Sequence, residues 1–431
     1  MVSQPQPSRF GTRLRERRRL RGLSQSELGG GRYSGSYISH LESGRRTAGP
    51  EVVAFLAERL GVSPAELGVS LPNGLHDDAQ AGAETLAQLL VAERAWHDGD
   101  WTVASDLAAQ AADRALDEGQ AIRHWEARYL QAQAWLGGGR FEEAARLARG
   151  LADDPVAAGS PALRAQALSL ASAGYRSCDQ LGMAIACAAQ AVDVAGQAPP
   201  VFLAEGLKSL VSAMLDVAGQ SDPTIEMLCR QLQELATQVA SDHARGTIFW
   251  ALGTAAYKGG DPASGRRLHE QALGLISPYR DLRMWVRLRR VVATCRMETG
   301  ETDGVAELLK TAREGATLVA NAYDRFELSH AEATFARLNG RPDEALDIIA
   351  RTLADPTLAD AVATNGRVEQ LHGAVLADLG RRPEARNAFM RAADVYERQT
   401  QFRLANACWK RALELAGPAG DEGCPARGQV P

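Results

Sequence analysis

The chain has 431 residues, a net charge of −5 and 45% hydrophobic residues, an ordinary globular composition that excludes a disordered chain. Aromatics make up only 6%. Abundant alanine and few β-branched residues favour closely packed helices and argue against a sandwich or barrel.

Charge is unevenly distributed. Residues 1–70 hold eleven arginines against six glutamates, a net +5, which leaves −10 on the remainder. A basic first sixth on an acidic body is the pattern of a nucleic-acid module joined to something else. The basic residues are nearly all arginine, with Lys208, Lys258, Lys310 and Lys410 the exceptions. Cys178, Cys187, Cys229, Cys295, Cys408 and Cys424 stand singly, with no C-x-x-C, and read as small buried hydrophobes. Met1 to Phe10 has no apolar leader region, and no stretch approaches 18 apolar residues. The expectation is a cytoplasmic protein with no membrane span.

Enzyme signatures are missing. No lysine completes a P-loop, and Gly29-Gly30-Gly31 and Gly137-Gly138-Gly139 lack the third glycine of a dinucleotide fingerprint. His269-Glu270 has no second histidine at helical spacing, and His330-Ala331-Glu332 has no P-C-x-x-C to complete a deaminase zinc site. No cofactor, metal or catalytic residue is expected.

In chain order, Ser8 is placed to cap a first helix through Phe10, Leu14 and Arg21, whose face carries Arg13, Arg15, Arg17, Arg18 and Arg19. Ser24 and Glu27 form a capping box for a second helix, ended by the glycine run. Ser34 caps a third, with Ile38 and Leu41 facing inward and Gly44 as its stop. Gly49-Pro50 starts a fourth with Val52, Val53, Leu56 and Leu60 as its apolar stripe. Ser63-Pro64-Ala65-Glu66 reads as another capping box, opening a fifth helix near Leu67. Five short helices, two in tight succession, are the pattern of a helix-turn-helix bundle.

Leu23-Ser24-Gln25, Tyr37 to Gly44 and Leu60-Gly61-Val62-Ser63 resemble the Cro/C1-type helix-turn-helix of the XRE family of transcriptional regulators, over about residues 8–68. The segment between Gln25 and Ile38 is one residue shorter than that pattern, with the glycine run and Arg32-Tyr33 in place of the usual turn. The resemblance implies that the third helix enters the major groove of a double-stranded DNA operator. Gly35 offers no side chain, so base contacts fall to Ser36, Ser39 and His40, with Ser34 and Tyr37 beside them. Serine is an unselective base reader, so specificity leans on DNA shape. Gln25 would touch phosphate or brace the third helix. Arg45 and Arg46 are candidate phosphate contacts, which position without specifying. Glu42 reads as a partner inside the bundle.

After a linker over 71–82 the sequence becomes periodic. Turn residues recur at Gly99, Gly139, Asp179, Gly219, Gly260, Gly300, Gly340 and Gly380. Seven residues before each turn stands Ala92, Ala132, Ser172, Ser212, Gly253, Ala293, Ala333 or Gly373, and five after each stands Ala104, Ala144, Ala184, Thr224, Gly265, Val305, Ala345 or Ala385. Two helices joined by a short turn can press together only where such side chains are small. Gly139-Arg140-Phe141-Glu142-Glu143-Ala144 and Gly340-Arg341-Pro342-Asp343-Glu344-Ala345 resemble tetratricopeptide repeats, whose usual period is about 34 residues. The longer period here predicts longer helices or connections, and HEAT-like repeats are the alternative. The repeats around Lys208–Leu235 and Phe249–Ala272 fit loosely.

The expected fold is therefore all-α. A five-helix bundle over 1–70 precedes a right-handed α-solenoid of about eight pairs over 83–416, a last helix near Phe402 to Leu415 caps it, and residues 417–431 form a disordered tail.

By the tetratricopeptide resemblance, the first helix of each pair lines a concave face, with positions three, six, ten and thirteen before each turn pointing inward. That selects Glu126, Tyr129 and Gln133, then Thr247, Trp250, Thr254 and Tyr257, then Arg287, Arg290, Thr294 and Met297, then Glu327, His330, Thr334 and Arg337. Arg280, Arg283, Arg287 and Arg290 form one helical stripe, either a carboxylate or phosphate site or a face paired to nearby acids. Trp250, Thr254, Tyr257, Arg287, Arg290, Thr294 and His330 are the candidate effector residues, with Trp250 and Tyr257 as a ligand platform or as core. The leading expectation is a DNA-binding transcriptional regulator, a homodimer through its repeats, that answers to a signalling peptide, a small molecule or a protein in the repeat groove. The resemblance to peptide-answering regulators motivates the first of these. A protein-interaction scaffold, and an enzyme with an unrecognised site, are the other classes.

Overall fold

The computed structural model describes residues 9–62, 64–67, 77–217, 222–399 and 401–416. Its contacts divide the chain into two compact units, Met1–Glu84 and Thr85–Pro431. Among the described residues there is no strand, and no helix is long and apolar enough to cross a membrane.

The first unit holds α1 (Arg9–Leu20), α2 (Gln25–Gly29), α3 (Gly35–Glu42) and α4 (Pro50–Leu60). Its core is Leu14, Leu28, Ile38, Leu41, Leu56, Leu60 and Leu67, all fully buried. The sequence sets its boundaries. The Ser24 hydroxyl accepts from Glu27 N (3.2 Å) and the Glu27 carboxylate accepts from Ser24 N (2.7 Å), the reciprocal capping box. The Ser34 hydroxyl accepts from Tyr37 N (3.2 Å). Gly30 and Gly31 take φ of 57° and 77°, which lets the shortened connection turn within two residues. The expected fifth helix is a single 3₁₀ turn, Pro64–Leu67. It needs only enough length to seat Leu67 in the core. The caps proposed at Ser8 and Ser63 lie outside the described residues.

The second unit is a stack of helix pairs. α5 (Asp77–His97) pairs with α6 (Trp101–Asp117), and α7 (Ala121–Gly138) with α8 (Phe141–Ala152). The short α9 (Pro155–Ala158) precedes α10 (Pro161–Ser177) with α11 (Leu181–Ala195), then α12 (Pro200–Val217) with α13 (Pro223–Ala236). Next come α14 (Asp242–Lys258) with α15 (Pro262–Leu275), α16 (Leu282–Glu298) with α17 (Val305–Val319), and α18 (Ala322–Leu338) with α19 (Pro342–Ala354). The short α20 (Ala359–Thr364) precedes α21 (Arg367–Asp378) with α22 (Arg382–Arg398), and α23 (Phe402–Ala416) packs on α22 through Ala405, Cys408 and Ala412. α5 begins at Asp77, inside the stretch read as a linker. An acidic pair followed by alanines suits a helix start there.

The long period is absorbed by helices of 17 or 18 residues and by α9 and α20 in two connections. The small columns are the contact lines. Ala92, Ala132, Ser172, Ala293 and Ala333 are buried on the first helices, and Ala104, Ala144, Ala184, Val305, Ala345 and Ala385 on the second. The register departs in the fourth pair. Thr224 is exposed, and its neighbour Ile225 takes the buried position. In the fifth pair Gly253 faces the ring of His269, which fills the space a side chain would need.

Candidate nucleic-acid interface and effector groove

Ser24, Gln25, Ser26, Gly35, Ser36, Ser39, His40, Ser43 and Arg45 line one concave face formed by α2 and α3. Five of these residues are serines. Ser36, Ser39, Arg45 and Arg46 are exposed, and His40 is half-buried. The face is therefore rich in hydroxyls, with cationic residues beyond the C-terminal end of α3. The Tyr37 ring stacks on Tyr33 at 5.4 Å, and the Arg46 guanidinium lies 5.6 Å over it. Tyr37 is thus a packing residue that also steers Arg46. Ser34 is occupied as a cap.

Gln25 braces α3 rather than standing free. Its Nε2 donates to Glu42 Oε2 (2.9 Å). Glu42 also accepts from Arg18 Nε (2.5 Å) and Nη2 (2.9 Å), and both partners are buried. Burial pushes the Glu42 carboxyl up, but the bonds from Arg18 and Gln25 outweigh it and hold it below its ordinary value. Arg18, one of the row of arginines on the first helix, is buried.

In the second unit the polar residues of the first helices are paired from one helix pair to the next. Lys208 Nζ donates to Thr247 Oγ1 (2.7 Å). Asp216 accepts from Arg176 (3.3 Å) and Lys258 (3.0 Å). Arg283 donates to Asp324 (2.7 Å), Arg290 to Glu327 (3.0 Å) and Arg337 to Asp378 (2.6 Å). Arg367 donates to both oxygens of Glu327 (3.1 and 3.0 Å). The partners stand 37 to 42 residues apart, one period of the repeat.

The arginine stripe is thus tied to α18. Asp324 holds Arg283 and lies 3.5 Å from Arg287, and Glu327 holds Arg290 and Arg367. Four guanidiniums share these two buried carboxylates, while Asp281 and Glu298 act on Arg283 and Arg367 from farther off. Burial pushes the His330 imidazole down to about 3, and Arg367 adds to that, so it is neutral at pH 7. Burial also raises the Tyr323 phenol. Thr294 Oγ1 donates to the Arg290 carbonyl of its own helix (3.0 Å).

Trp250, Thr254 and Tyr257 are held differently from a ligand platform. Tyr257 is buried, its ring against Gly265 and 5.3 Å from His269. Thr254 Oγ1 lies 3.2 Å from His269 Nε2, and Trp250 packs on the cluster of Ala272, Ile276, Leu288 and Val292. The glycine at 265 opens room on the second helix, and Tyr257 fills it. Arg367 was missed by the sequence reading, although it stands thirteen residues before Gly380 and the same spacing rule selects it. Among the described residues no group of His, Cys, Asp and Glu could hold a metal ion.

Residues 9–68 match the family described as helix-turn-helix domain. No curated protein matches the sequence. The fold resembles that of a Rap protein complexed with Competence and Sporulation Factor, with a TM-score of 0.52 at 11% identity over 94% of this chain and 97% of that one. Also similar are the apo quorum sensor NprR from B. thuringiensis (TM-score 0.43, 12% identity, 93% and 100% covered) and Bacillus thuringiensis PlcR in complex with the peptide PapR7 and DNA (0.33, 14%, 63% and 94%). The chain thus carries a helix-turn-helix domain followed by a tetratricopeptide-like helical solenoid.

Proposed function

We propose that the chain is a sequence-specific DNA-binding transcription regulator whose repeat unit binds an effector and mediates dimerisation. The observation that carries this reading is the α2–α3 face. It joins a matched helix-turn-helix domain to exposed Ser36 and Ser39 and half-buried His40, with Arg45 and Arg46 just past the helix end. One such face offers few base contacts, so high specificity calls for two copies on a two-fold operator. The domain limits that fit this reading are a head over 1–70 and a sensor over 83–416. The role is binding, not turnover.

The effector is an anionic peptide or small molecule with Arg290 and Arg367 as its anchors. The four guanidiniums gathered on Asp324 and Glu327 between α16, α18 and α21 support this charge. The Rap protein of similar fold is seen complexed with Competence and Sporulation Factor, which fits a repeat unit that takes an effector. The test is selection of bound sequences from a random duplex library by the full chain, followed by gel shift in a salt series. Recovery of a recurrent two-fold motif is the expected result. Enrichment of no motif by a folded chain would sink the reading.

A further inference from the structure

The solenoid closes on itself along a seam. Asn321 Nδ2, at the cap of α18, donates to the Gly137 carbonyl near the end of α7 (2.5 Å), across 184 residues of chain. Phe141, the first residue of α8, meets the Tyr323 ring edge-on at 5.2 Å. The Arg283 guanidinium lies 4.9 Å over the ring of Trp101, the first residue of α6. Gln401, just before α23, stands near the Asp179 carboxyl, which burial pushes up and Gln401 partly draws back. Each contact joins the turn end of one of the first three pairs to the start of a later first helix or of α23. One coil of the superhelix therefore rests on the next.

Two details are specific to this seam. A Cβ at residue 137 would stand 2.5 Å from the Trp101 ring, so glycine there lets the indole lie on the α7 backbone with Arg283 on it. Asp179 has φ 60°, the one described non-glycine residue in the left-handed region, at a turn where the other described repeats place glycine. Glycine adopts that conformation without steric cost and aspartate does not. At this turn the aspartate side chain stands beside Gln401. The contacts themselves are one cation–π pair, one neutral hydrogen bond, one edge-on ring pair and one carboxyl beside an amide side chain. None is an aliphatic cluster, so the seam can part without unfolding either side.

We infer that the seam is a gate. Closed, it seals the side of the solenoid against the polar faces of α16, α18 and α21. Open, it admits a ligand to them. The inference rests on those faces as the effector site, but it is tested with neither effector nor DNA. Asn321→Asp keeps the oxygen that caps Asp324 N (2.8 Å) and removes the donor to Gly137. Gln401→Glu sets a carboxylate against Asp179. His330→Cys supplies the reporter, read by peptide mass spectrometry after timed exposure of the full chain to fluorescein-5-maleimide. With the seam intact, position 330 should label slowly. With both seam substitutions it should label at least tenfold faster, while the buried Cys187 of α11 stays unlabelled. Fast labelling with the seam intact, an unchanged rate in the seam variant, or a parallel rise at Cys187 would each overturn the gate. A chain that failed to bind DNA would leave this comparison untouched.

Discussion

The Arg18 guanidinium grips the Glu42 carboxylate with two hydrogen bonds, of 2.5 and 2.9 Å, and so ties α1 to the end of α3 inside the head. Removing one partner of a buried pair strands the other charge, at about 3–5 kcal/mol. Arg18→Met should therefore destabilise the head by that order, while Arg18→Met with Glu42→Leu should recover most of the loss. Hydrogen exchange of the α1–α3 amides in the full chain measures both. Because the Glu42 carboxyl is held low, its contribution is present above the ordinary carboxylate range and is lost as pH falls through its folded value.

Ser36→Ala and His40→Ala should weaken the selected operator, by about 1–3 kcal/mol for each good base contact removed, and leave random duplex binding unchanged. Arg45→Ala and Arg46→Ala should weaken both and flatten the salt dependence by about one ion each. Gel shifts across a salt series separate the two effects. Gln25→Ala should reduce head stability as well as affinity, because Gln25 supports Glu42.

His269 is fully buried, and burial drops its imidazole to about 4. The folded chain keeps it neutral while the unfolded chain protonates it near the usual value of about 6.5. Stability should therefore fall as pH drops from 6.5 toward 4, by about 1.4 kcal/mol per pH unit and about 3 kcal/mol in all. Urea melts at pH 7 and pH 5 check the slope. His269→Gln should flatten it.

Leucine at Ala132 or Ala333 overpacks a helix crossing and should cost about 1–3 kcal/mol. Leucine at Thr224 should stay within about 0.5 kcal/mol, because that position is exposed. Thermal melts that rank Thr224→Leu with the other two would show that the fourth pair keeps the common register.

Arg290→Ala removes a charge-assisted anchor and leaves Glu327 to Arg367 alone. Calorimetry with an authentic effector should show affinity reduced about tenfold to a hundredfold, the equivalent of one hydrogen bond to a charged group. Unchanged affinity would remove this site from the effector's path.

Local signals in the sequence were reliable where one residue has one job. Ser24 with Glu27, Ser34, Gly44 and the alanine columns each satisfy a need visible within a few residues, and the helices begin and cross there. The fourth pair resisted because Ile225 and Thr224 exchange roles by a one-residue shift, which turn spacing does not register. The groove was half legible. A spacing rule found Arg287, Arg290 and Glu327 and left open a face paired to nearby acids, but it did not select Asp324, which holds Arg283 and lies beside Arg287. It also placed Tyr257 in the groove, where the missing Cβ of Gly265 draws the ring inward instead. Contacts such as Asn321 with Gly137 depend on the curvature of the whole stack, and no short window contains them.

The alanine columns are not uniform in their surroundings, and stiffness follows. From α6 through α11 the buried contacts are mainly alanine, including Ala108, Ala111, Ala112, Ala145, Ala148, Ala171, Ala188 and Ala191. Alanine has no rotamer to change, so such helices can slide only by moving their backbones. From α16 onward the packing relies more on Val286, Leu288, Leu309, Phe326, Ile349 and Leu371, and on long arginines held by Asp324 and Glu327. The stretch from α6 to α11 should therefore deform less under load than the later pairs, whose side chains have rotamers to change.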